Sequence, residues 1–577
     1  MASHRHVFSF SLYCIDKLKS VAKYILIDIV RNTRIFSKQN VNNKKMEDGK
    51  CKKTTTKKVN MVTTKMTSGI TRYTIENMVD VYELPTSTGA RVRLFMPKSE
   101  LGPEEIAMLQ AASSRSKLAL LERFVSFLEH DEIGKRTKNI VAKAFTGYGH
   151  KSIGDLGHIL LDITGVSMLT AKAVQDSQLY SGQEGSTRYI SFAKQPFLFP
   201  VHNYPSFHHN EIQYHTNKLL EAWRTFFTTY AENMLTAMKR QHPLAKITEL
   251  SPHYGADRRT YDNAMGAATF DRMRGFLPAG CATNLVWWTS ISHAVEHLEN
   301  IRNHVLPEVR EVSDLIWQLC TEILPHSFKG REKPAHDEFM RHFYEKDYYL
   351  RDLCDDQPSK EWLIDEDRLV KNWKPYLCDS HLTDGVSGPP RRQRGTQLPY
   401  QIGEVGNIRW QFLLDFGSFR DVQRHRAVVQ EQGLLTERFG IHPWYLQELQ
   451  KYCGEEAIRD LYKLFAKQES TIGYLRSWFK MSDEDLQYLL PMGYQVPLKI
   501  TGSLSKMLYL IELRATKSVH PTLHQEAYAL GVWVQKKLST ALDVDIKDIP
   551  MYIQEYTGEI YIQRGKQTIT IAGKNIE

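Results

Sequence analysis

Apolar residues recur at helical spacing through residues 211–240. Leu219, Leu220, Trp223, Phe226, Phe227, Tyr230, Met234 and Met238 fall on one face. The stripe predicts a long amphipathic helix with its apolar side in a core, ended by Pro243. Two other stretches read as a strand running into a helix. In the first, His158-Ile-Leu-Leu-Asp-Ile-Thr-Gly165 precedes a helix-like stretch over 168–178. In the second, Ile408-Arg-Trp-Gln-Phe-Leu-Leu-Asp-Phe416 precedes Phe419-Arg-Asp-Val-Gln423. Residues 75–97 predict a strand-rich start, and 103–130, 284–303 and 308–325 predict helices. Residues 331–400 read as a charged connector ending in a Gly/Pro-rich loop over 385–395. The tail over 552–571 alternates like a hairpin turning at Thr557-Gly558.

Several of these features occur twice. Leu160-Leu-Asp162 matches Leu413-Leu-Asp415, and Leu277-Pro-Ala-Gly280 matches Leu490-Pro-Met-Gly493. A helical stretch after the first Leu-Pro motif ends in Ile301-Arg302, and one after the second ends in Leu513-Arg514. Pro307-Glu-Val-Arg310 follows the first arginine and His524-Gln-Glu526 the second. Such doubling predicts an internal repeat. The expected organisation is a leader over 1–70, a first unit over 71–330, a connector over 331–399 and a second, shorter unit over 400–577.

Charge sharpens the division. The chain has 577 residues and a formal charge of +9. Residues 1–70 hold 15 Lys and Arg against 4 Asp and Glu, a net +11 that leaves about −2 for the rest. This Lys/Asn/Thr-rich leader cannot form a core and is expected to be disordered. It could also contact RNA or DNA, or act as a transit segment. The remainder has no broad basic patch, so nucleic acid is not its expected partner. No apolar run reaches the roughly 18 residues of a membrane span. The seven cysteines are scattered and form no Cys-x-x-Cys pair, which fits a reducing cytoplasm without disulfides or a zinc-thiolate site.

The densest chemistry lies in Ser181-Gly-Gln-Glu-Gly-Ser-Thr-Arg-Tyr189. The glycines allow close backbone approach to a ligand. Arg188 can fork onto a phosphate and Ser186 can donate to it, while Glu184 can accept from a sugar hydroxyl or a base N–H. The residue types alone also fit a solvated polar turn. A second cluster, Arg424-His425-Arg426, ends the second strand-helix run. Three cations together repel unless an anion lies between them. His293-Ala-Val-Glu296-His297 is a formal His-x-x-Glu-His pattern, but no third zinc ligand is apparent and a metal site is not expected.

The 181–189 loop, reached through Gly149-His150-Lys-Ser152, a strand and a helix, resembles the flavin-dependent thymidylate synthases. In that family the helix ends in Arg-His-Arg and runs into a Ser-x-Asn-Glu-x-Ser-x-Arg-Tyr loop. Here the first copy keeps the loop, with Gln183 for the asparagine, but has Asp176-Ser177-Gln178 in place of the triplet. The second copy keeps Arg424-His425-Arg426 but loses the loop. The resemblance implies an α/β (α+β) fold of two pseudo-repeated thymidylate-synthase-complementing-type units, each an antiparallel sheet with long helices. It implies a homodimer of such chains as well.

The resemblance also implies an activity: dUMP methylated to dTMP, with carbon from methylenetetrahydrofolate, FAD as cofactor and NADPH as reductant. Glu184, Ser186, Arg188, Tyr189 and Arg302 are then expected on the nucleotide. His150, Ser152, Asp155, Arg424, His425 and Arg426 are expected on the flavin, and Arg514, Arg424 and Ser186 at the reacting centre. The loop of the first copy should face the triplet of the second, forming one composite site. The alternative is a pseudoenzyme of the same fold that binds flavin or nucleotide without turnover. A protein acting on RNA through its leader is a third class.

Overall fold

A computed structural model of the chain describes residues 61–75, 79–97, 103–104, 155–188, 191–245, 258–331, 333–350, 358–378, 392–558, 560–564 and 567–571. The leader over 1–60, most of the helix expected over 103–130, and His150, Ser152 and Tyr189 lie outside these residues.

Alternation builds the strands. In β5 (His158–Ser167), Ile159, Leu161 and Ile163 are buried, while Asp162 faces the other way and pairs with Arg93 at 2.8 Å. In β9 (Gly406–Asp415), Ile408, Trp410, Phe412 and Leu414 point inward. β1 (Met61–Lys65), β2 (Thr71–Ile75), β3 (Val79–Pro85) and β4 (Arg91–Pro97) form a meander against β5. With β6 (Ser181–Glu184) and β7 (Ala282–Ser290) they make a seven-stranded antiparallel sheet ordered β1-β2-β3-β4-β5-β7-β6. A second antiparallel sheet, ordered β10-β11-β9-β8, holds β8 (Ser359–Ile364), β10 (Val429–Gln432) and β11 (Gln495–Ser503) with β9.

The helices follow the strands in the same order in both segments. In the first, α1 (Met168–Gln175) leaves β5, α2 (His209–Gln241) and α3 (Arg258–Met273) precede β7, and α4 (Ile291–Ile301) and α5 (Pro307–Ile323) follow it. The connector forms α6 (Pro334–Lys346), β8 and α7 (Glu366–Leu377). In the second, α8 (Phe416–Val422) leaves β9, α9 (Pro443–Phe479, broken at Gly454 with φ 78°) precedes β11, and α10 (Leu504–Arg514) and α11 (Pro521–Leu542) follow it. α2 buries the predicted stripe and packs along α9, with Trp223 against Phe465 and Tyr230 bonded to Asp460. Each large apolar side chain so buried stabilises by about 1.5–3 kcal/mol.

The Leu-Pro-x-Gly motifs meet each other. Pro278 bridges Pro491, Ala279 N–H donates to Leu490 O at 2.8 Å, and Met492 N–H donates to Leu277 O at 2.8 Å. Gly280 N–H donates to Tyr488 O and Gly493 N–H to Gly275 O, so the exchange is reciprocal. A Cβ on Gly280 would lie 2.7 Å from Tyr488 O, and one on Gly493 would lie 2.6 Å from Gly275 O. The closeness of the two chains is what demands glycine.

Five expectations are corrected. Residues 282–290 are strand, because Leu285 and Trp287 are buried while Val286 and Trp288 are exposed, a period of two rather than a helix. The Leu-Leu-Asp match is out of register. Asp162 lies within β5, whereas Asp415 ends β9, and strand pairing aligns Asp415 (opposite Gln495) with Ser167 (opposite Ala282). The connector is not merely a linker, since β8 pairs with β9. The tail is a hairpin of β12 (Ile560–Arg564) and β13 (Gln567–Ile571), but it turns between Arg564 and Gln567 rather than at Thr557-Gly558. β1 lies within the stretch assigned to the leader.

Candidate active site

Two helix starts fix the site. Ser167 Oγ accepts from Thr170 N–H and caps α1, and Asp415 accepts from Ser418 N–H and caps α8. Both caps are buried and held from behind. Glu308 accepts from Ser167 and from Tyr488, while Asp415 accepts from Thr522 and Tyr445. The ends of α1 and α8 are thereby set against one another, with β6 and its loop beside α8.

The loop of the first segment docks on α8 of the second through Arg420. Its guanidinium bonds Glu184 at 2.5 Å, Gly185 O at 3.1 Å and Thr187 Oγ1 at 3.3 Å, and Gln175 donates to Glu184 at 2.8 Å. Arg188 forks onto Asp271 with contacts of 2.6 and 2.9 Å and also reaches Ser518 O. Between these groups lies a cavity of about 30 Å³, lined by Glu184, Ser186 and Arg188 from one segment and Arg420, Asp421 and Arg424 from the other, with Arg274 behind them. The loop and Arg424, separated by more than two hundred residues, meet within a single chain.

Arginines outnumber carboxylates around the cavity. Burial would raise the pKa of Asp421, but Arg274, Arg188, Arg514 and Arg424 surround it and hold it below the usual carboxylate value. Asp421 Oδ2 and Arg274 Nε are buried without hydrogen-bond partners. Arg424 is exposed to the cavity and forms no hydrogen bond or ion pair among the described residues. His425 Nε2 accepts from Arg514 Nε at 2.7 Å. Burial, then Arg514, lowers its pKa to about 3, so the ring is neutral and free to accept.

A neighbouring cavity of about 190 Å³ is lined by Asp176, Ser177, Gln178, Gln423, Arg426 and Gln430, among others. Arg426 lies 4.8 Å over the Tyr180 ring, and its buried Nε has no partner. A third cavity of about 130 Å³, between α7, α10 and the segment after α11, contains none of these residues.

Other expected residues are elsewhere. Arg302 contacts Asp314 at 3.3 Å and stacks on Trp317, lining neither of the first two cavities. Asp155 is exposed and accepts from Ser290. His297 bonds Val174 O, His293 bonds Ser177 Oγ, and the two rings stack on each other beside Trp287. Among the described residues no cluster of His, Cys, Asp or Glu could hold a metal ion. Cys281 is buried and its thiol is pushed up to about 12, and no described cysteine lines either arginine-bearing cavity. Sequence reasoning missed Arg420, Asp421, Asp271 and Arg274. The first two lie in the last turn of α8, four and three residues before Arg424, and Asp271-Arg-Met-Arg274 is a charged cluster set in an apolar stretch. Both were signals of polar residues turned toward something other than water.

Residues 99–326 match the family model described as thymidylate synthase complementing protein. Three proteins of bacteria and archaea are similar over most of the chain. A UPF0159 protein of Chlamydia muridarum (strain MoPn / Nigg) is 26% identical over 444 residues, covering 69% of this chain and 79% of its own. Another, of Chlamydia pneumoniae, is 23% identical over 67% of this chain and 76% of its own. A third, of Thermoplasma acidophilum, is 20% identical over 69% of this chain and 86% of its own. The family match contains the 181–189 loop but not the 424–426 triplet. Over residues 99–326, then, the chain is similar to the thymidylate synthase complementing proteins, the flavin-dependent family its loop resembles.

Proposed function

We propose that this chain is a flavin-dependent thymidylate synthase that converts dUMP to dTMP at a composite site, having arisen by tandem duplication of one synthase unit. The observation that carries the reading is the cavity lined jointly by Glu184, Ser186, Arg188 and Arg424. Five guanidinium groups (Arg188, Arg274, Arg420, Arg424, Arg514) gather there with three carboxylates (Glu184, Asp271, Asp421). Two positive charges are left over, which matches a nucleoside monophosphate. Arg424 and Ser186 take the phosphate in this reading, with Arg188 released in part from Asp271. Glu184, held by Arg420, is turned to the sugar or base. Arg514 stabilises negative charge developing on the ring, oriented by its bond to neutral His425. Tyr189 is assigned to the nucleotide as well, and Arg302 would then serve it only from outside the described cavity.

The residues present fit the phosphate end of a flavin dinucleotide. Arg426 lines the adjoining cavity with an unpartnered buried Nε and Tyr180 beneath it. His425 and Arg424 border the same helix end, and His150, Ser152 and Asp155 remain assigned to the flavin in this reading. Bound there, the flavin supplies the reducing equivalents that NADPH provides, and methylenetetrahydrofolate supplies the carbon. The chain's own work is to bind, orient and neutralise. The element order β5-α1-β6-α2-β7-α4-α5 against β9-α8-β10-α9-β11-α10-α11 supports the duplication.

The test is turnover by the purified full chain. With dUMP, methylenetetrahydrofolate, NADPH and FAD it is expected to release dTMP and to bleach at the flavin band on reduction. Flavin and nucleotide binding with no dTMP would leave a pseudoenzyme.

A further inference from the structure

The register of the two sheets and the two helix caps assign counterparts to Glu184, Arg420 and Arg424 of the composite site. Glu184 pairs opposite Leu285 and Gln432 opposite Leu498, at matching places in β7 and β11. Lys172 follows the Ser167 cap by as many residues as Arg420 follows the Asp415 cap, and Asp176 stands where Arg424 stands. In the composite site Arg420 grips Glu184 and leaves Arg424 open to the cavity. In the counterpart Lys172 Nζ bonds Asp176 at 2.8 Å and the hydroxyl of Tyr348 at 2.7 Å, and that hydroxyl bonds Asp176 at 2.8 Å. Lys172 also lies 4.5 Å from the Tyr348 ring centre.

Tyr348 comes from the connector, directly after α6. Its neighbours are fastened to the edge of the second sheet, since Tyr349 forms a parallel bridge with Gln432 and Leu350 N–H donates to Gln432 O at 3.0 Å. His304 packs between the Tyr344 and Tyr348 rings at 5.0 and 4.9 Å. Lys172 is neutralised by Asp176, so this pair offers no net charge to a dianion.

We propose that this group is a second nucleotide site inherited with the duplication and closed by the chain's own Tyr348, so that each chain takes up one nucleoside monophosphate and not two. The proposal rests on the reading of the composite site given above.

Two measurements on the full chain test it. Calorimetric titration with dUMP should saturate at one per chain, and two per chain would overturn the proposal. No binding at all would instead remove the reading of the composite site. The second measurement is independent of nucleotide. Acylation of Lys172 by a small acetylating reagent, followed by mass spectrometry, should be about tenfold or more slower than that of exposed Lys463, because it requires local opening. Tyr348→Ala should remove that protection and Tyr348→Phe, which keeps the ring, should retain most of it. Equal reactivity of Lys172 and Lys463 in the unmodified chain would overturn the plug whatever the titration gave.

Discussion

Arg188 and Arg426 differ in what they face, and their substitution should separate two ligands. Charge-assisted hydrogen bonds contribute about 1.5–3 kcal/mol each. Arg188→Ala is therefore expected to weaken dUMP binding about ten- to a hundredfold while sparing flavin, and Arg426→Ala to weaken flavin first; calorimetry with each ligand checks both. If neither substitution changes either affinity, the composite site is not the ligand site. Histidines set a second residue-scale behaviour. The pKa values of His425 and His297 are lowered to about 3 and about 4, and those of His304 and His520 fall well below the ordinary 6.5, burial being the main cause. The folded state keeps these rings neutral while the unfolded chain protonates them below about 6.5. Stability is then full above that pH and falls as pH drops toward 4, by about 1.4 kcal/mol per unit for each such ring. Melting temperatures at pH 7 and pH 5 should show a clear loss, and a flat profile would contradict the assignment. The grouping of Glu184, Ser186 and Arg188 was legible in the sequence because a loop motif is local. Their partners Asp271 and Arg420 were not, because ion pairs across 83 and 236 positions leave no local pattern.

At the scale of elements, the crossing of the two Leu-Pro-x-Gly loops fastens the segments together. Gly280→Ala would place a methyl 2.5 Å from Leu198 O and 2.7 Å from Tyr488 O, both backbone atoms that cannot swing aside. Overpacking of this kind costs about 1–3 kcal/mol. The expected outcome is a lower denaturation midpoint in urea for Gly280→Ala and for Gly493→Ala, with Gly266→Ala, which meets nothing within 4 Å, as the neutral control. Equal midpoints for all three would show that the loops have room to separate. The long helix α2 and the strands β5 and β9 were legible because their periods are unbroken over eight or more residues. β7 was misread as helix. Its Asn284-Leu-Val-Trp-Trp-Thr289 run is nearly all apolar, and only its pairing with β5 and β6 tells the buried face from the exposed one.

For the whole molecule, no helix among the described residues is long and apolar enough to cross a membrane. A chain carrying two units is expected to associate as a closed homodimer, the arrangement that four single units would reach. Light scattering at micromolar concentration should give twice the chain mass, and a stable monomer would remove the expectation. The sequence by itself determined the long helix α2 and the strands β5 and β9, the doubling of the Leu-Pro-x-Gly motif, the family resemblance of the 181–189 loop and the separation of loop from triplet. These are properties of neighbours along the chain, written in spacing and residue type. Only the tertiary structure decided that the loop and Arg424 line one cavity, that Asp415 falls at the same strand register as Ser167 rather than Asp162, and that Tyr348 sits on Lys172. Each depends on strand register and on which helix ends face each other. Those are set by packing summed over both sheets and the paired helices α2 and α9, and no short stretch of sequence carries that sum.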